Sequence, residues 1–286
     1  MPTKVLDSQA GRNGVQKTFK FGGGSNEIRA EDDGTSAYSY IINAGGGDDM
    51  IFGSDFTTRF GTGTMVDDRT TNGDLLIGGM GSDTIVGGAG DDWIYGGNED
   101  GSDGGKGKAP IVTNILYGEQ GFVYLSYDET FTGGDDVITA GNDVRNFLYG
   151  DIQSANGVDA TSVFNFGDDT LIGGTGEDDF IGDSSSGGGT KTINGGADTF
   201  VIAPDGGKDT IIDFHTADGD KVDLTAFEFA NYDALDGLWY SNFGFQALDF
   251  DGDGDGFGNV LIFVGIAFNA DPDAIVGLGA GDFVFV

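Results

Sequence analysis

Carboxylates recur along this chain at a spacing suited to holding hard divalent cations. Each is followed by one variable residue and then a large apolar one: Asp49 precedes Ile51, Asp83 precedes Ile85, and Asp92 precedes Ile94. The same register places Asp74, Asn114, Asp136, Asn146, Asp169, Asp178, Asp198 and Asp209 ahead of Leu76, Leu116, Ile138, Leu148, Leu171, Phe180, Phe200 and Ile211. Glycines gather in the six residues before each such triplet. The clearest copies, GGMGSDTIV at 78–86 and GGAGDDWIY at 87–95, abut without a gap. Glycine tolerates φ > 0 and lets backbone carbonyls come close to an ion. A donor set of carboxylates and carbonyls suits calcium, whereas magnesium demands a tight octahedron and keeps its waters. The candidate ligands are therefore Asp49, Asp74, Gly79, Gly81, Asp83, Gly88, Gly90, Asp92, Asp136, Asp169, Gly174, Gly176, Asp178, Asp198 and Asp209.

The elements that position these groups follow from the same register. Alternation over three residues makes a very short strand whose central side chain points inward. The glycine-rich six before it form a turn, so two nonapeptides make one coil of a two-sided solenoid. Stacked coils then set each acid beside the acid of the next coil. With the strands counted from the one ending at Phe52, connections from even to odd strands are mostly tight: 78–83, 141–146, 173–178 and 204–209. Those from odd to even are mostly long: 53–72, 118–134, 150–167 and 182–196. The exceptions are the tight turn 87–92 and the long insertion 96–113. One edge of the roll is expected to keep regular turns while the opposite edge carries inserts. The turn 141–146 reads GNDVRN, with Arg145 and Asn146 in place of a glycine-type turn and an acid, so a weak or absent ion is expected there.

This pattern resembles the repeats-in-toxin (RTX) family of hemolysin-type calcium-binding proteins, whose nonapeptide G-G-x-G-x-D is followed by any residue, a large apolar one and any residue. The match covers roughly residues 44–212. The following block DFHTADGDKVDLTAF (213–227) is similar to the segment after the β-roll in serralysin-type proteins, and the ending GDFVFV resembles their uncleaved type I secretion signals. The resemblance implies a secreted, extracellular protein that meets a type I secretion apparatus and folds on calcium.

Composition agrees with a cation-bound fold and excludes other classes. The chain has 286 residues, 55 Gly, 48 Asp plus Glu against 13 Lys plus Arg, no Cys, and a net charge of −35. Four Pro and the lack of a three-residue period rule out collagen, and 38% hydrophobic residues is too much for a disordered acidic tail. So acidic a surface repels phosphate backbones, so no nucleic-acid partner is expected. No run is long enough for a membrane span, and the first residues lack the apolar core of a Sec signal peptide.

Catalytic signatures are missing. His215 is the only histidine and cannot supply the two of a zinc-protease H-E-x-x-H; no G-x-S-x-G elbow occurs. Acidic pairs are too abundant to single out a glycosidase pair. Asp249, Asp251, Asp253 and Asp255 form a D-x-D-x-D run, with Asp251 and Asp253 as candidate ligands; Val260 or Ile262 falls where an EF-hand needs Glu. Phe56, Phe60, Phe122, Tyr124, Tyr127, Phe131, Phe164 and Phe166 lie in or near the inserts. They are expected to fold back over the roll edge rather than form a ligand surface. The expected fold is all-β: N-terminal capping strands (1–43), a calcium-binding parallel β-roll (44–212), and a small β-rich C-terminal cap with the secretion region (213–286). A short helix is expected near 231–238, and a hairpin from the runs flanking DGDGDGFG. The expected function is non-enzymatic adhesion or partner binding; the alternative is a polysaccharide-active or polysaccharide-binding secreted protein.

Overall fold

A register of one inward residue per short strand leaves a solenoid as the way to bury those residues together, and the chain takes that form. The computed structural model describes residues 3–6, 17–30, 40–53, 73–80, 82–88, 90–97, 113–125, 127–142, 145–186, 188–204, 207–236, 238–242, 245–248, 260–264 and 278–286. Four coils carry two strands each: β1 (Thr3–Leu6) with β2 (Lys17–Lys20), β3 (Glu27–Ala30) with β4 (Tyr40–Gly46), β5 (Met50–Phe52) with β6 (Leu75–Met80), and β7 (Thr84–Val86) with β8 (Trp93–Tyr95). Three larger coils carry four strands. The first holds β9 (Thr113–Tyr117), β10 (Gln120–Leu125), β11 (Thr130–Thr132) and β12 (Val137–Thr139). The second holds β13 (Arg145–Tyr149), β14 (Ile152–Gly157), β15 (Val163–Asn165) and β16 (Thr170–Ile172). The third holds β17 (Asp178–Ile181), β18 (Ser184–Ser186), β19 (Thr192–Asn194) and β20 (Thr199–Val201). A further two-stranded coil, β21 (Asp209–Phe214) with β22 (Lys221–Asp223), follows them.

First strands of successive coils pair in parallel, giving one long sheet, and last strands give the other. Inward residues sit directly over one another. Ile51, Ile85, Leu116, Leu148, Phe180 and Ile211 make one row. Leu76, Ile94, Ile138, Leu171 and Phe200 make the other. All eleven have no exposed surface. A slip of one residue would turn a whole row outward, so the apolar pattern pins the register. Replacing Leu171 with Ala should cost about 2–5 kcal/mol through the cavity it leaves. The same change at Trp93, 53% exposed in strand β8 of the same sheet, should move a urea midpoint far less.

Among the described residues the inserts obey the edge rule; 54–72 and 98–112 lie outside them. Each of the three larger coils inserts its extra strands between its first-sheet and second-sheet strand, on one edge. There they stack as two three-stranded parallel sheets, β10-β14-β18 and β11-β15-β19. They enclose a second small core of Val123, Leu125, Phe131, Ile152, Ala155, Phe164 and Phe166. So Phe131, Phe164 and Phe166 are buried, but in a core of their own rather than against the roll. Phe122, Tyr124 and Tyr127 instead point out, each more than 60% exposed. Phe56 and Phe60 lie outside the described residues.

The coil stack runs past both ends of 44–212. Strands β1 to β4 continue both sheets at the N-terminal end. At the other end come β23 (Trp239–Asn242), β24 (Phe245–Leu248), β25 (Val260–Val264) and β26 (Phe283–Val284). Strand β25 pairs in parallel with β21 and antiparallel with β24, and β26 pairs with β22. Leu224, Leu235, Leu248 and Phe283 close the main core there. The helix expected near 231–238 is one 3-10 turn at Tyr232–Leu235. Among the described residues, no helix is long and apolar enough to cross a membrane.

Candidate metal centre

Because each acid or amide stands two residues before its strand's inward residue, stacking the strands stacks these groups. One column, at the start of the first-sheet strands, runs Asn26, Asp49, Asp83, Asn114, Asn146, Asp178, Asp209. The other, ahead of the second-sheet strands, runs Asp74, Asp92, Asp136, Asp169, Asp198, Asp220. Every one of these side chains is buried. Within a column one oxygen of each acid caps the coil before it. The Asp49 N–H donates to Asp83 Oδ1 (2.9 Å), that of Asp74 to Asp92 Oδ1 (2.7 Å), that of Asp136 to Asp169 Oδ1 (2.7 Å) and that of Asp169 to Asp198 Oδ1 (2.9 Å). Asp178 and Asp198 donate likewise to Asp209 and Asp220, each at 3.0 Å.

The second oxygen turns into the glycine-rich turn. A Cβ on Gly78, Gly87, Gly118 or Gly150 would collide with Oδ2 of Asp83, Asp92, Asp136 or Asp169 respectively. Oδ2 of Asp136, Asp169 and Asp209 is buried with no hydrogen-bond donor. Leaving such a charge unpaired in the interior is costly. Two like charges 4 Å apart repel by about 4 kcal/mol even at an effective dielectric constant near 20. Accordingly burial, reinforced by neighbouring carboxylates, holds Asp136 and Asp198 well above the usual carboxylate range. Burial pushes Asp209 to about 8, with Asp178 adding to it, and Asp178 itself to about 6. Among the described residues Arg29 pairs with Glu27 and Arg145 with Asp179.

The donor set fits a hard cation: carboxylate oxygens without donors, in turns only glycine can line. Gly79, Gly88 and Gly90 have φ of 113°, 116° and 110°, a backbone that favours glycine. The turn 173–178 is different. There the Gly174 N–H donates to Asp178 Oδ2 (2.7 Å) and the Gly176 carbonyl accepts the Gly207 N–H (2.8 Å), so the candidate ligand oxygens of Asp178 and Gly176 already have protein partners. Gly81, Asp251 and Asp253 lie outside the described residues.

In the turn 141–146 the amide fills its own turn. Asn146 Oδ1 accepts the Gly141 N–H, its Nδ2 donates to the Gly141 carbonyl (both 3.0 Å), and Nδ2 also donates to Asp178 Oδ1 (2.6 Å). Asn114 Nδ2 donates to Asn146 Oδ1 (3.0 Å). An amide thus supplies the donor that a carboxylate lacks. Asn146→Ala should destabilise the roll by roughly 1–3 kcal/mol, read from a urea midpoint, and leave the number of bound ions unchanged.

Several acids escape the repeat register. Asn26 and Asp220 extend the columns; each stands two residues before an inward residue, Ile28 or Val222, a signal present in the sequence. Glu119, Asp151, Asp183 and Asp213 are buried at the mouth of the inserts. Burial pushes Asp183 up to about 9, with Asp213 next in effect, and Asp220 to about 7. His215 is not isolated: ligand atoms of Asp183, His215 and Asp218 lie within 4.8 Å of one another. No family model, curated protein or solved structure matches this chain.

Proposed function

We propose that this chain is a secreted calcium-binding β-roll protein of RTX type that folds as calcium binds outside the cell, and that acts without catalysis in adhesion or partner binding. The observation that carries this is the pair of buried carboxylate columns whose second oxygens, at Asp136, Asp169 and Asp209, have no donor. The columns hold the ions together with carbonyls of the glycine turns, Asp49, Asp74, Asp83 and Asp92 among them. Calcium, once bound, supplies the positive charge and oxygen coordination that the protein's own groups do not. Where calcium is scarce, mutual repulsion keeps the chain open and fit for export through a type I apparatus. A non-catalytic role is supported by the way the acids repeat coil after coil instead of converging on one cleft. The test is a calcium titration of EDTA-treated protein followed by far-UV circular dichroism and hydrodynamic radius. A chelated chain that is already compact and indifferent to calcium overturns the reading.

A second reading, binding of extracellular polysaccharide, is favoured by one observation. Phe122 and Tyr124 alternate with the buried Val123 and Leu125 along β10, so both rings face solvent beside Tyr127. Exposed rings of this kind mark interaction surfaces. Glycan-array binding lost in a Phe122→Ala, Tyr124→Ala, Tyr127→Ala variant supports it. Release of altered sugars would favour an enzymatic role instead.

A further inference from the structure

The three four-stranded coils share a feature outside the nonapeptide register. Three residues after the inward apolar side chain stand Glu119, Asp151 and Asp183, where the tight coil 84–95 has Gly88. Each acid reaches across the mouth of its insert. Glu119 Oε1 accepts the Gly134 N–H, Asp151 Oδ2 that of Gly167 (3.1 Å), and Asp183 Oδ1 that of Gly196 (2.9 Å). From the opposite wall Asp136 leans on Gly118 and Asp169 on Gly150. The inserts are therefore pinched off from the main roll by a waist lined with carboxylates on both sides.

One oxygen of each acid is used in pinning; the others are stranded. Glu119 Oε2, Asp151 Oδ1, Asp136 Oδ2 and Asp169 Oδ2 are buried with no donor, in residues at most 3% exposed. The Glu119 N–H donates to the Asp151 carbonyl (3.2 Å), which sets the two acids side by side on adjacent coils, and neither side chain can donate when ionised. Only a shared proton or a bridging cation reconciles them. Pinning alone does not call for acids, since an amide oxygen accepts the same N–H. The same two coils use amides, Asn114 and Asn146, on the opposite edge, where they join directly. Nor can Asp136 and Asp169 use a tight glycine turn, because the insert has displaced it; the acids at Glu119 and Asp151 take its place.

We propose that the divalent cation held at Asp136 and Asp169 in the second column takes Glu119 and Asp151 as further ligands from the other wall of the waist, and that this ion fastens the insert sheets to the roll. The inference deepens the calcium-binding reading and rests on it. An all-oxygen donor set of this charge selects calcium. Asp183 and Asp198 repeat the arrangement one coil further on.

Native mass spectrometry of calcium-loaded protein tests it, comparing wild type with Glu119→Gln. The variant keeps the oxygen that accepts the Gly134 N–H and offers a donor to Asp151, so it imitates a shared proton. The expected result is a folded variant that carries one calcium fewer per chain. An unchanged count in a folded variant overturns the waist ion and leaves the roll's other ions standing; a wild type that binds no calcium takes down both readings. Should the variant fail to fold, infrared difference spectra of the calcium-loaded wild type at neutral pH decide. The absence of any carboxylic C=O band that shifts in D2O is expected, and such a band means that a proton bridges the acids and overturns the proposal.

Discussion

Stripped of calcium at neutral pH, the chain is expected to open to an expanded coil, and restoring calcium is expected to close it again. The change is large. A compact chain of this length has a radius of gyration of roughly 19 Å and an unfolded one roughly 60 Å. The reason is a mismatch of magnitudes. A folded domain is stable by only about 5–15 kcal/mol, while the metal-free roll must bury acids at Asp136, Asp151, Asp169, Asp198, Asp209 and Asp213, among others. Each close uncompensated pair sets several kcal/mol against folding. The net charge of −35 adds a long-range push in the same direction. A site filled at a hundred times its dissociation constant returns about 2.7 kcal/mol to the folded state, so a few such sites suffice to reverse the balance. Magnesium, held back by its preference for an ideal octahedron and bound waters, is expected to leave the chain expanded. Circular dichroism and hydrodynamic radius should change together. Equal compaction by magnesium would mean that simple charge neutralisation, not coordination, folds the roll.

How far the sequence could be read depended on whether a feature repeats locally. Asp83, Ile85, Asp92 and Ile94 announce both strand and turn because two copies stand side by side, and the burial of all eleven register positions follows from that period alone. Asn26 and Asp220 obey the same rule but stand as single copies outside the run, so the roll proves longer at both ends than the repeats suggest. The edge that carries inserts was legible from spacing. Their interior was not, because whether Phe131 packs inward while Tyr127 faces solvent depends on how one insert lies on the next. The waist acids were the least legible. Glu119 meets Asp136 only once an insert of variable length has closed on itself, and nothing local in the sequence marks that closure. The signal was an acid three residues after Leu116, Leu148 and Phe180, in the three four-stranded coils.

Acid should substitute for calcium in the chelated protein, and the sign follows from the direction of the shifts. Burial raises the carboxyls of Asp183 to about 9, Asp209 to about 8, Asp220 to about 7 and Asp178 to about 6. In the unfolded chain an aspartate titrates near pH 3.9. A raised folded-state value means that the folded chain binds protons more tightly than the unfolded one. The stabilisation from these groups is therefore fully present below about pH 4 and is lost as pH rises through roughly 6 to 9. Metal-free protein should be compact at about pH 5 and expanded at about pH 8.5. Calcium-loaded protein should run the other way, because its ligands must be ionised to bind, so acid weakens the hold on the metal even as it relieves the repulsion. The two curves of hydrodynamic radius against pH should cross. Chelated protein equally expanded at both pH values would mean that burial of these acids is not what opposes folding. A chelated protein compact at both would mean that the apolar rows from Ile51 to Ile211 outweigh the carboxylate columns without help from any cation.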